Sequence, residues 1–182
     1  MRERILGAGV AVLLVTGCGA ETEQVAVPPA APVAVDVAAA SSGGACRLLD
    51  FGVIEQHAGV RFDVAAASAT GDSQTCVVRV GREALPELAL TVTKTSIDAA
   101  TFAADVVPEK AAKVSGLGER AYRRTISAKG DVGPVAEVGW LAAEGRLATL
   151  RYATARDADK AEAEKLTTAL VALAQGLDTR AI

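Results

Sequence analysis

The feature that most constrains the fold lies near the C-terminus. Val135 to Ala142 and Arg146 to Tyr152 are two period-2 stretches flanking Ala143-Glu144-Gly145, the mark of a β-hairpin with one buried face. Loop length decides its register. A two-residue loop sets Val138 against Arg151 and mixes core with solvent. A three-residue loop with Gly145 in the left-handed region pairs Ala142 with Arg146, Trp140 with Ala148, Val138 with Leu150 and Ala136 with Tyr152. The reverse face then carries Glu137 opposite Arg151, an opposite-charge cross-strand pair. A one-residue slip would move every side chain to the wrong face, so the pattern selects the three-residue loop. That register turns Trp140 and Tyr152 inward, as core residues rather than a stacking platform.

The other elements are weaker versions of the same signals. Asp50 is a helix N-cap and Gly59 a C-terminal stop. Leu49 and Ile54 stand at staple spacing, which predicts a short helix over Phe51–Ala58. Thr75 to Val80 and Leu88 to Thr93 alternate as strands around a Gly81–Pro86 loop. Ser96 or Asp98 caps a second helix through about Asp105, before Pro108. Ser115-Gly116-Leu117-Gly118 reads as a turn, and Arg120 to Ile126 as a strand. Ala65 to Ser73 reads as an exposed, mobile loop with a turn at Gly71-Asp72-Ser73. From about Asp157 to Leu177, Leu166, Leu170, Leu173 and Leu177 recur at helical spacing. The expectation is an α+β domain over 45–182: an antiparallel sheet of about five strands, with the long C-terminal helix on its apolar face and the short N-terminal helix beside it.

The N-terminus carries an address. Arg2 and Arg4 precede a short apolar run, Ile5 to Val15, which ends in Leu14-Val15-Thr16-Gly17-Cys18. Such a run is too short for a stable membrane span and has the layout of a secretory signal. Small residues leading directly to a cysteine resemble the lipobox of bacterial lipoproteins. That resemblance implies removal of residues 1–17, a diacylglyceryl thioether on Cys18 and acylation of its new amino group. Two or more acyl chains anchor stably where one does not. Cutting away Arg2, Glu3 and Arg4 makes the net charge of −3 more negative, so attachment to an anionic membrane would rest on lipid rather than charge. Residues 18–44 hold Pro28, Pro29, Pro32 and a Ser41-Ser42-Gly43-Gly44 end. They read as a partly extended linker reaching roughly 30 Å.

With Cys18 assigned to lipid, Cys46 and Cys76 remain, an even pair in an exported chain where disulfides persist. A bridge between them is the expected state. Free thiols and a metal site are the alternatives, and two cysteines with one distant His57 fall short of a four-ligand zinc set.

Little in the chain points to catalysis. His57 is the single histidine, and no serine stands in a Gly-x-Ser-x-Gly elbow. Gly116-Leu117-Gly118-Glu119 lacks the Lys-Ser/Thr ending of a phosphate cradle. No carboxylate pair is set among aromatics as in a glycosidase. A pI near 5.3 excludes a nucleic-acid binder built on a basic face. Hydrophobic residues at 51% against 23% charged exclude a chain disordered throughout. No catalytic residue, cofactor or metal is therefore expected. The expected partners are the membrane, through Cys18, and an envelope protein or small ligand.

The lipobox cysteine, the Pro/Ala/Gly/Ser tether, the Cys46-Arg47-Leu48-Leu49 opening and Cys76 in the next strand go together. With Val114-Ser115-Gly116-Leu117-Gly118-Glu119-Arg120-Ala121-Tyr122, a terminal hairpin and an Ala/Leu-rich last helix, they resemble small actinobacterial cell-envelope lipoproteins. Those proteins carry an uncharacterised domain found in mycobacteria and streptomycetes. Asp50 occupies the capping position where that family often has Thr or Ser. The resemblance implies a location on the extracytoplasmic face and a fold, and no activity. A non-enzymatic binding protein is the leading expectation, with an envelope hydrolase or a lipid carrier as alternatives.

Overall fold

A computed structural model describes residues 38–182. One antiparallel sheet is built from β1 (Val64–Thr70), β2 (Ser73–Arg79), β3 (Glu87–Lys94), β4 (Ala112–Val114), β5 (Arg120–Ile126), β6 (Val135–Ala142) and β7 (Arg146–Ala153). The strand order is β1-β2-β3-β7-β6-β5-β4, so two meanders are joined along the central β3–β7 pair.

The expected α+β class holds, but the sheet has seven strands rather than about five. The two additional strands are its edges. β1 is Val-Ala-Ala-Ala-Ser-Ala-Thr, with no polar–apolar alternation, because an edge strand buries little on either face. It replaces the expected loop over Ala65 to Ser73, and its tip makes the Thr70↔Ser73 closing pair around Gly71-Asp72. β4 is three residues long, less than the pattern needs to repeat.

The C-terminal hairpin has the register its sequence selects. Ala142 faces Arg146, Trp140 faces Ala148, Val138 faces Leu150 and Ala136 faces Tyr152. Gly145 has φ 66° and Glu144 φ 60°. The turn is docked as well: Thr95 N–H donates to Gly145 O at 2.9 Å, and a Cβ at Gly145 would stand 2.4 Å from Thr95 O. Glycine is therefore required there twice, by conformation and by contact.

The main core lies on one face of the sheet. It includes Val78, Leu90, Leu150, Val138 and Trp140, covered by α1 (Phe51–Ala58) and α3 (Lys160–Gln175). The Asp50 carboxylate accepts from Val53 N–H at 2.9 Å, and Gly59, left-handed at φ 71°, closes α1 by donating to Glu55 O. Leu49 and Ile54 are buried in the same core. α3 begins three residues later than expected because Asp159 caps it, accepting from Glu162 N–H at 2.7 Å. Leu166, Leu170 and Leu173 point into the core.

Cys46 and Cys76 form a disulfide across 30 residues. It fastens a 3₁₀ turn, Gly44–Leu48, to β2. The packed chain begins earlier than the sequence suggests. Ala39–Ser42 makes another 3₁₀ turn, Ala39 is fully buried, and Ser42 Oγ donates to Ala65 O at 2.9 Å. Residues 39–44, read as the end of the linker, are thus part of the domain, held by contacts to β1 that no short-range pattern announces.

The opposite face carries a second, smaller core of Phe102, Tyr122 and Leu141. Its cover is α2 (Ala99–Thr101), capped by Asp98, whose carboxylate accepts from Thr101 N–H at 2.7 Å. That hydrogen bond holds the Asp98 carboxyl below its usual range. The expected helix to Asp105 does not continue as an α-helix. It widens into a π-turn, Phe102–Val106, closed by Val107 N–H to Phe102 O at 3.0 Å. Val106-Val107-Pro108 ends it, since β-branched residues and the residue before proline disfavour the helix.

Candidate functional site

Between the π-turn and the β4–β5 connection lies a cavity of about 460 Å³, inside the size range of small-ligand sites. The connection is Ser115 to Glu119, the turn seen in the sequence. Gly118 presses it onto β6: at φ 54° its Cβ would meet Leu141 O at 2.3 Å and Trp140 Cδ1 at 3.2 Å. Glu119 N–H donates to Leu141 O at 2.8 Å, and Leu117 is buried in the main core. One wall is therefore rigid and fixed to the sheet. The other wall is the π-turn, a local widening of the helix often found at functional sites.

The cavity's apolar lining residues are Phe102, Ala103 and Val107 from the π-turn side and Val114, Leu117 and Ala121 from the β4–β5 side. Its charged lining residues are Lys113, Glu119 and Arg120, all exposed, beside Ser115. Lys113 lies opposite Tyr122 in the β4–β5 ladder, so Lys113 and Arg120 are diagonal neighbours on one face, within reach of long side chains. Arg120 Nη1 donates to the main-chain oxygen of Glu119 at 3.0 Å. Among the described residues neither cation pairs with a carboxylate.

A larger groove of about 620 Å³ runs between β5 and α3, and its walls are already paired. Arg123 Nη1 donates to Thr168 Oγ1 at 3.2 Å, the Thr125 and Thr167 hydroxyls meet at 3.2 Å, and Lys160 lies 3.5 Å from Glu164. A third cleft of about 380 Å³ brings His57 together with Tyr152, Glu162 and Lys165. Burial, helped by the Glu162 charge, pushes the Tyr152 phenol up to about 12. No serine, threonine or cysteine is among the described residues lining that cleft.

On the second sheet face Glu137 is only 4% exposed. Its Oε1 accepts from Arg124 Nε at 2.7 Å and from the Tyr122 hydroxyl at 3.1 Å, and its Oε2 lies 3.0 Å from Arg151 Nε. Burial raises the Tyr122 phenol to about 12, and the Glu137 charge adds to it.

Of the residues singled out from the sequence, Cys46 and Cys76 are joined to each other, and Cys18 lies outside the described residues. No group of three or more His, Cys, Asp or Glu side chains among the described residues could hold a metal ion, and no helix among them is long and apolar enough to cross a membrane. Sequence reasoning found the Ser115–Gly118 turn but not the cavity behind it. The opposing wall comes from a separate element, and Lys113 sits on a strand too short to show a pattern. Comparison of the chain with protein-family models, with curated proteins and with solved structures gives no match.

Proposed function

We propose that this chain is a lipoprotein of the cell envelope, anchored through Cys18. Its domain works outside the cytoplasm as a non-enzymatic binding module. The cavity between the π-turn and the Ser115–Glu119 turn is the observation that carries the binding role: a concave space of about 460 Å³ lined by both apolar and charged side chains, with one wall fixed to the sheet, has the size and mixed lining of a small-ligand site. The extracytoplasmic placement rests on the lipobox-like sequence at Leu14 to Cys18. The Cys46–Cys76 disulfide supports it, since such bonds persist in oxidising compartments.

The test is fractionation of cells expressing the full chain or its Cys18→Ala variant, with crosslinking in intact envelopes. The wild type is expected in the membrane fraction with a specific crosslinked partner or a copurifying ligand, and the variant is expected to leave the membrane. Identical distribution of the two, or recovery with neither partner nor ligand, contradicts the proposal.

A hydrolase is the second reading, favoured by the single histidine sharing a cleft with Glu162 and Lys165. It requires turnover of an envelope substrate that is lost in His57→Ala or Glu162→Gln. Turnover unchanged by both substitutions removes it. The lipid-carrier reading in its simplest form needs a large cavity between sheet and α3. Trp140, Leu150 and Leu170, at 2%, 0% and 0% exposure, fill the centre of that interface. The groove of about 620 Å³ at its β5 side is lined mostly by charged and polar residues such as Arg123, Arg124, Lys160 and Glu164 rather than by apolar ones.

A further inference from the structure

We infer that the groove between β5 and α3 is a strand-addition site, where an extended acidic segment of a partner polypeptide pairs with the free end of β5. This goes beyond the small-ligand role proposed above. The groove shares no lining residue with the cavity beside the π-turn. Three observations converge on it.

The first is an open stretch of main chain. All seven residues of β5 pair with β6 on one side. On the other side β4 covers only Ala121 to Arg123. β4 begins no earlier because a turn precedes it: Ala111 N–H donates to Pro108 O at 3.1 Å, and Lys110 is left-handed at φ 63°. Among the described residues no main-chain hydrogen bond reaches Arg124–Ile126 from that side. Strand residues turn their N–H and C=O to alternate sides of an antiparallel ladder, so at least one donor and one acceptor of these three residues face outward. An unpaired edge of this kind is a template for another strand.

The second is that the groove follows this edge. Arg123, Arg124, Thr125 and Ile126 all line it. Successive strand side chains point to opposite faces, so four in a row border one space only along the edge of the strand. The facing wall is Lys160, Glu164, Thr167 and Thr168 of α3, spaced as one helical face. A groove of about 620 Å³ open along a strand edge has room for an extended segment. Main-chain hydrogen bonds then supply affinity, and alternate side chains supply specificity.

The third is charge. The side chains of the walls bond one another but leave the groove positive. Arg123 is half-buried, and its partner is the neutral Thr168 hydroxyl at 3.2 Å. Among the described residues it meets no carboxylate. Arg124 shares the Glu137 carboxylate with Arg151. With Lys110 and Lys160 these arginines make four cations against Glu109 and Glu164, on a chain whose total charge is −3. Arg123 and Thr125 both reach α3, so they share one face of the sheet. In a strand continuing the line of β4, the residue opposite Thr125 lies diagonal to Arg123 on that face, within reach of its long side chain. A carboxylate at that position would accept charge-assisted hydrogen bonds from the guanidinium.

The full-length protein in phosphatidylcholine nanodiscs is titrated with the peptide acetyl-Thr-Val-Glu-Val-Thr-amide carrying an uncharged fluorophore, and binding is read by anisotropy. A second probe has Gln in place of Glu, and a third carries N-methyl groups on its three central nitrogens. Saturable binding of the Glu peptide is expected, with the Gln and N-methylated peptides about tenfold weaker, the effect of losing one charge-assisted or main-chain contact. Arg123→Gln is expected to lower the Glu peptide to the level of the Gln peptide and to leave the Gln peptide unchanged, with a urea midpoint close to wild type. Absence of saturable binding by the Glu peptide overturns the inference. Equal binding of the N-methylated peptide also overturns it, because charge alone would then explain the affinity, and that arm uses the wild type only. Indifference to the Glu-to-Gln change or to Arg123→Gln overturns it on the other side. Displacement of the peptide by an equal concentration of inorganic phosphate assigns the groove to a small anion and overturns it as well. Any of these failures leaves the anchored small-ligand reading standing, which the Cys18→Ala fractionation tests by itself.

Discussion

Glu137 on β6 and Arg151 on β7 face each other across the hairpin and form an ion pair at 3.0 Å, with the carboxylate almost wholly buried. Arg124 reaches the same carboxylate from β5 at 2.7 Å. Three adjacent strands are thereby pinned in register by one side chain. Charges removed from water stabilise a fold only when they are fully paired, and Glu137 uses both oxygens.

Glu137→Gln is expected to lower stability by about 1–2 kcal/mol, the cost of weakened hydrogen bonds to a buried group. It also removes a charge that holds the Tyr122 phenol up. The chain has two tyrosines, so absorbance titration resolves the effect. One phenol is expected to move from about 12 toward its ordinary 10.0, while Tyr152 stays put. A titration identical to wild type contradicts this reading of the network.

Alkaline pH is expected to unfold the domain through both tyrosines. Their folded values are raised from 10.0 to about 12, so the native state holds protons that the unfolded state releases. Their contribution to stability is complete below pH 10 and is lost as pH rises from 10 to about 12. Urea midpoints measured across that interval should fall steadily. A flat profile there contradicts the burial of the two hydroxyls.

The interface between sheet and α3 predicts the largest packing losses. Trp140→Ala is expected to cost about 3–5 kcal/mol and Leu170→Ala about 2–5 kcal/mol, the range for emptying close-packed sites. Val53→Ala, at an α1 position that is 42% exposed, serves as the contrast and should lie within about 0.5 kcal/mol of wild type. Denaturant unfolding ranks the three, and a Leu170→Ala loss no larger than that of Val53→Ala would contradict the packing described.

Loss of the disulfide is expected to act mainly through the unfolded chain. Closing a 30-residue separation contributes about 3–4 kcal/mol in the chain-entropy account. The Cys46→Ser/Cys76→Ser protein should show that loss in urea, and reductant should lower the wild type to the same midpoint. A wild type insensitive to reductant while its thiols become titratable contradicts the assignment.

The parts of this fold that are legible in the sequence are those fixed by short-range rules. Val138 opposite Leu150, Asp50 capping α1 and Leu166-Leu170-Leu173 facing inward follow from periodicity, caps and loop length alone. The parts that are not legible depend on distant partners. β1 is an alanine-rich run that becomes a strand by pairing with β2, and Ala39 is fully buried in a turn that packs on both β1 and the Gly44–Leu48 turn. The π-turn arises where Phe102 must reach Tyr122 and Leu141, twenty and thirty-nine positions further along the sequence. The cavity is the space between two such elements, so no local pattern could show it. Lys113 and Arg120 are each ordinary in the sequence and become a pair only through the β4–β5 register.

The most direct test of the whole account is the intact mass of the protein extracted from its native membrane. The account predicts a chain that starts at Cys18, carries the added mass of a diacylglyceryl group with or without a further acyl chain, and lacks the two hydrogens given up by Cys46 and Cys76. A chain that retains residues 1–17, or one with an unmodified thiol at Cys18, would contradict it.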